Sequence, residues 1–119
     1  MKRVRKVSPL YRGLIVAIEI ERRAKRWPMY LVDEKSGIAD SLYSKMVAVD
    51  APCGRQSEYA TLDDVCDALW PDGWSVQIVP GKVLRTEADM KAELAAHSRY
   101  DTFSHRYEPI GASASAQAA

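Results

Sequence analysis

His97, Asp101 and His105 follow one another at intervals of four residues, so one uninterrupted helix would set two imidazoles and a carboxylate on a single face. That is a donor set for a divalent metal. The surrounding sequence offers little apolar support, however, and the three read as solvated polar residues, so neither a metal site nor a cofactor is expected. Cys53 and Cys66 have no Cys or His neighbour at zinc-ligand spacing and are too few for a disulfide framework. Reduced thiols in a cytoplasmic protein are the expectation. The chain carries no glycine-rich phosphate loop, nucleophile elbow or supported carboxylate pair. No catalytic residue is assigned, and the chain does not read as an enzyme.

The chemistry on offer is instead charge, and its distribution matters more than its sum. The net charge over 119 residues is +1, which gives no general attraction to polyanions. Residues 1–26 nevertheless hold nine cations against Glu19 and Glu21, a local +7 that leaves −6 for the remainder. Lys2, Arg3, Arg5 and Lys6 form an N-terminal arm suited to following a groove, and Arg22, Arg23, Lys25 and Arg26 form a second basic run. Lys35 and Arg55 join them as candidate phosphate contacts. The competing reading of each is a solubilising surface charge.

These charges need elements to position them. Hydrophobic residues make up 47% and charged residues 28%, the balance of one globular domain. Ser8-Pro9 can open a helix in which Leu10, Leu14, Ala17 or Ile18, Glu21 and Ala24 share one face, with Arg12 and Glu19 among the polar positions. The apolar run from Leu14 to Ile20 is broken by Glu19, so it serves neither as a signal-peptide core nor as a membrane span. Pro28 to Lys35 reads as a short second helix ended by Gly37, with Asp40 or Ser41 capping a third that carries Leu42, Tyr43, Met46 and Val47. Asp50 to Ala60 reads as a loop, Thr61 to Leu69 as a helix capped by Thr61, and Thr86 to about His97 as another.

Between the last two helices, Trp74, Val76 and Ile78 alternate with Ser75, Gln77 and Val79, the pattern of a strand. A strand needs a partner, either residues 82–84 of the same chain or the same strand of a second copy in a homodimer. Trp27, Trp70 and Trp74 read as packing residues, and Tyr43 as core. The expected fold is therefore mainly α, a bundle of four to five helices with one short C-terminal β-strand or hairpin. Residues 1–8 form the basic arm, 9–80 the principal domain, 81–108 a helical extension and 109–119 an Ala/Ser-rich disordered tail.

The segment from Trp27 to Met46, with Val32, Gly37, Ile38 and Met46 at its key positions, resembles the helix-turn-helix of the lambda-repressor/Cro-like family. Thr61-Leu62-Asp63-Asp64-Val65-Cys66-Asp67-Ala68-Leu69 is similar to the helix that follows it there, and the likeness extends over residues 12–80. The resemblance implies a transcriptional regulator that binds double-stranded DNA, with Ala39, Asp40, Ser41, Ser44 and Lys45 at base edges in the major groove. Three residues depart from the family pattern. Met29 replaces a polar backbone-contacting residue, Asp33 replaces a small residue that lets the two helices pack closely, and Asp40 brings an acid to the groove. A chain with these changes could also have kept the fold as a protein-binding adaptor or antiactivator.

Overall fold

The computed structural model describes residues 6–104, and the side chains of residues 6–97. Five helices account for its regular structure: α1 (Pro9–Lys25), α2 (Met29–Ser36), α3 (Leu42–Val47), α4 (Tyr59–Leu69) and α5 (Glu87–Ser104). The molecule is mainly helical, as its sequence pattern requires.

Each boundary has a local cause. The Ser8 hydroxyl accepts from the N–H groups of Leu10 (3.1 Å) and Tyr11 (3.4 Å), and Pro9 takes the first helical position, where its missing donor costs nothing. Ser8→Ala should therefore cost about 1 kcal/mol of stability in a urea titration; an unchanged midpoint would mean that Pro9 alone fixes the start. Helix α1 ends on Arg26 in the left-handed conformation, and Pro28 then sets the extended entry to α2. Gly37 ends α2 at φ +73°, where its N–H reaches the Glu34 carbonyl and the Ile38 N–H reaches that of Asp33. Glycine meets that backbone conformation without a side-chain penalty. A different constraint holds Gly54, because a Cβ there would lie 1.8 Å from the Ala48 carbonyl oxygen.

The core joins all five helices. Tyr11, Ile15, Val16 and Ile18 of α1 meet Val32 of α2, Tyr43 and Met46 of α3, Leu62, Val65 and Leu69 of α4, and Met90 and Leu94 of α5. Helix α1 packs on α3, α4 and α5, and α2 packs on α3 and α4. The 87–104 helix, expected as an extension, thus contributes to the same core. It also runs beyond the expected end near His97.

Three expectations need correction. The buried face of α1 comprises Tyr11, Arg12, Ile15, Val16, Ile18 and Glu19, rotated from the Leu10–Leu14–Glu21 stripe, and Leu10 is exposed. The stripe was misplaced because Arg12 and Glu19 are buried while charged, a placement that charged side chains take only when paired. Helix α4 begins at Tyr59 after Glu58, so Thr61 lies inside it and is not its cap. Finally, residues 74–79 belong to no strand: no backbone–backbone hydrogen bond joins residues 74–84 to another described residue. Alternating residue types favour an extended chain, but a strand also needs a neighbour, and residues 82–84 do not supply one. No helix among the described residues is long and apolar enough to cross a membrane.

Candidate nucleic-acid interface

Helix α3 is only six residues long, too short to persist without outside support. Ser41, at its N-terminal boundary, is left-handed at φ +67° and makes no side-chain cap. The cap comes from α2. Asp33 is buried, its Oδ2 accepts from the Ser41 N–H at 3.0 Å, and its Oδ1 accepts from the Tyr43 N–H at 2.9 Å. A carboxylate on two amides at a helix start satisfies donors that would otherwise be stranded and sits at the positive end of the helix. Asp33, which from the sequence looks like an obstacle to close packing, instead ties the two helices together.

A second buried carboxylate fixes the other side of α3. Glu19 is fully buried, and its Oε1 accepts from the Tyr43 hydroxyl at 2.7 Å and from Arg22 Nε at 2.8 Å. Its Oε2 accepts from Arg22 Nη2 and from Arg23 Nε at 2.9 Å, and Arg22 Nη1 donates to the Trp27 carbonyl. Burial alone would raise the Glu19 pKa. The hydrogen bonds from Arg22 and Tyr43 and the charge of Arg22 outweigh it and hold the carboxyl below its ordinary value. The Tyr43 phenol is driven the other way, by burial first and then by the adjacent Glu19 charge, so it stays protonated and donates.

The third tie lies across the bundle. Arg12 of α1 makes two 2.7 Å bonds to the Asp50 carboxylate, beneath Met90 of α5. Its pKa is raised chiefly by the bond to Asp50. Nothing in the polar pattern marked Arg12, Glu19 or Asp33 as buried. The one available signal was that Arg12 and Glu19 stand seven apart, two turns along one helix face.

Among the residues assigned to base contact, Ala39, Asp40 and Ser41 are exposed on the turn, while Ser44 and Lys45 are half-buried. The Ser44 hydroxyl donates to the Ser41 carbonyl at 2.9 Å, which closes the first turn of α3. The assigned phosphate contacts fall into three groups. Arg55 lies at the end of α3 next to Lys45 of the base-contact set, its main-chain N–H donating to the Lys45 main-chain carbonyl at 3.1 Å. The 55–57 loop is fastened to the start of α1 by Tyr11 and by a Gln56–Ser8 hydrogen bond, two residues after exposed Lys6.

Lys25 and Lys35 form the second group, with their ammonium groups 5.5 and 5.8 Å from the centre of the Trp27 ring. Lys25 also approaches Glu21 at 3.7 Å, and exposed Arg26 adjoins them at the end of α1. The third group turns inward. Arg22 is spent on Glu19 and the Trp27 carbonyl, and Arg23 shares Glu19 while remaining partly exposed. Lys2, Arg3 and Arg5 lie outside the described residues, as do His105 and the 109–119 tail. His97 Nε2 lies 3.3 Å from Glu93 Oε2. Burial, aided by Asp63 and Asp67, pushes the Cys66 thiol up to about 11, which suits a packing role rather than a nucleophile.

No family model, curated protein or solved structure matches the chain.

Proposed function

We propose that this chain is a small DNA-binding regulator in which α2, the 37–41 turn and α3 act as a helix-turn-helix. The observation that supports this best is the main-chain bond from Arg55 to Lys45, which holds the backbones of two basic residues side by side at the end of α3, beside a turn whose Ala39, Asp40 and Ser41 are exposed. Lys45 and Arg55 can each neutralise a phosphate, while Ser41 and Ser44 offer hydroxyls and Asp40 a carboxylate that can accept from cytosine N4. Lys25, Arg26 and Lys35 would supply further backbone contacts, and Lys6 would carry the N-terminal arm into the neighbouring groove. Arg22 is excluded from this set by its internal bonds.

The reading is tested by titrating fluorescent duplex DNA with the full chain across a salt series. Lys45→Ala and Arg55→Ala should each weaken binding and make the log–log salt dependence shallower by about one unit, the signature of a lost phosphate contact. Arg22→Lys should leave that slope unchanged. Absence of duplex binding at low salt would overturn the regulator reading. It would favour an adaptor that uses the same surface for protein, for which Tyr30, 68% exposed on α2, is the natural anchor.

A further inference from the structure

Residues 74–79 combine two features that a soluble single chain rarely leaves together. Their peptide groups form no backbone hydrogen bond with the rest of the described chain, and their β-branched side chains stand in water: Val76 is 60% exposed, Ile78 85% and Val79 76%. The segment is anchored at its start by Trp74, whose Nε1 donates to Asp67 on α4 at 2.9 Å. Beyond that anchor it faces the outer side of α1 across a groove of about 880 Å³, with Leu10, Leu14 and Trp70 among the lining residues.

We infer that this segment is the docking edge for a second copy of the chain, pairing antiparallel with itself about a two-fold axis at Val76. Of the registers that keep the apolar residues on one face, this one pairs Trp74, Val76 and Ile78 all with one another. In an antiparallel pair, residues opposite one another share a face. Placing Val76 opposite its symmetry mate puts Trp74 opposite Ile78 at both ends, so Trp74, Val76 and Ile78 of the two copies form one continuous apolar face. Ser75 then faces Gln77 on the other side. A shift of one residue would set Val76 against Gln77 and Ser75 against Ile78, breaking that face.

The flanking charges agree with the same direction. Asp72 precedes the segment and Lys82 follows it, so antiparallel pairing brings the acidic end of each copy to the basic end of the other. The Lys82 side chain is 76% exposed, and its ammonium makes a long 3.9 Å approach to Glu93. Pro80 and Gly81 close the ladder at a fixed length. The apolar face made by the pair has Leu10 and Leu14 of α1 to pack on, across the groove. This inference does not depend on the DNA reading: a dimer that ignores DNA satisfies it equally.

Sedimentation velocity of the full chain from micromolar to hundreds of micromolar should show a concentration-dependent dimer. Val76→Asp and Val76→Lys each set like charges face to face on the axis and should sediment as folded monomers, with unchanged far-ultraviolet circular dichroism. Mixed in equal amounts, the two variants should regain the dimer. The register is read in a Cys53→Ser background, where oxidised Val76→Cys should link into a covalent dimer while Val79→Cys, far from its symmetry mate in this register, should not. A wild-type monomer throughout the range, dimers of Val76→Asp alone, no recovery on mixing, or linkage through Val79→Cys in place of Val76→Cys would each overturn the proposal.

Discussion

Replacing Glu19 by alanine should lower the stability of the fold by about 3–5 kcal/mol, the range found when one partner of a buried ion pair is removed. The magnitude comes from what remains. Arg22 would keep its charge with no buried counter-ion, Arg23 would lose its inward partner, and the Tyr43 hydroxyl would be left without an acceptor. Glu19→Gln should also be destabilising, because an amide nitrogen would confront guanidinium donors. Urea titration at neutral pH measures the loss directly.

The same carboxylate predicts a pH dependence of known sign. Its folded pKa lies below its ordinary value of 4.5, so ionised Glu19 contributes fully above the unfolded value. That contribution disappears as pH falls from about 4.5 through the depressed folded value. Asp89 acts in the same direction through the Arg85 and Thr86 amides, so the wild-type acid limb has more than one source. Subtracting the Glu19→Ala curve from the wild-type curve isolates the Glu19 part. A difference independent of pH between 7 and 3 would show that the glutamate contributes through packing and not through charge.

Asp33→Ala is the second large effect, with an expected loss of about 2 kcal/mol. Two helix-start amides, those of Ser41 and Tyr43, would lose their acceptor, and Ser41 offers no substitute because its own side chain caps nothing. Asp33→Asn retains one carbonyl oxygen and should lose roughly half as much. The decisive measurement is amide hydrogen exchange. The Tyr43 amide should lose protection by more than the global destabilisation accounts for, since α3 would open locally. Equal loss at Tyr43 and at the α4 core amides would mean that Asp33 supports the fold generally rather than capping α3.

Most helix positions were readable because their signals are local. Ser8-Pro9 opened α1 and Gly37 closed α2 by backbone preferences that hold wherever those residues stand, and the apolar spacing of Leu62, Val65 and Leu69 carried α4. The inward face of α1 was not readable. Arg12 and Glu19 are buried only because Asp50, Arg22 and Tyr43 meet them, and those meetings join residues up to 38 positions apart. The cap on α3 was hidden for the same reason, since Asp33 acts on amides eight and ten residues ahead. For residues 74–79 the local signal was sound, but pairing is a property of two segments and the described chain contains only one. Within the candidate interface, the exposed turn residues could be foreseen. The inward turn of Arg22 could not, because a basic run gives no sign of which member has a buried acid nearby.

The Tyr43–Glu19 and Asp33 bonds also bear on how tightly a partner can be held. A six-residue helix fastened at its start by one neighbour and at its flank by another is held in place before any encounter. Less configurational entropy of the backbone is then left to surrender on complex formation, so less of the energy of contacts along its outer edge is offset by ordering.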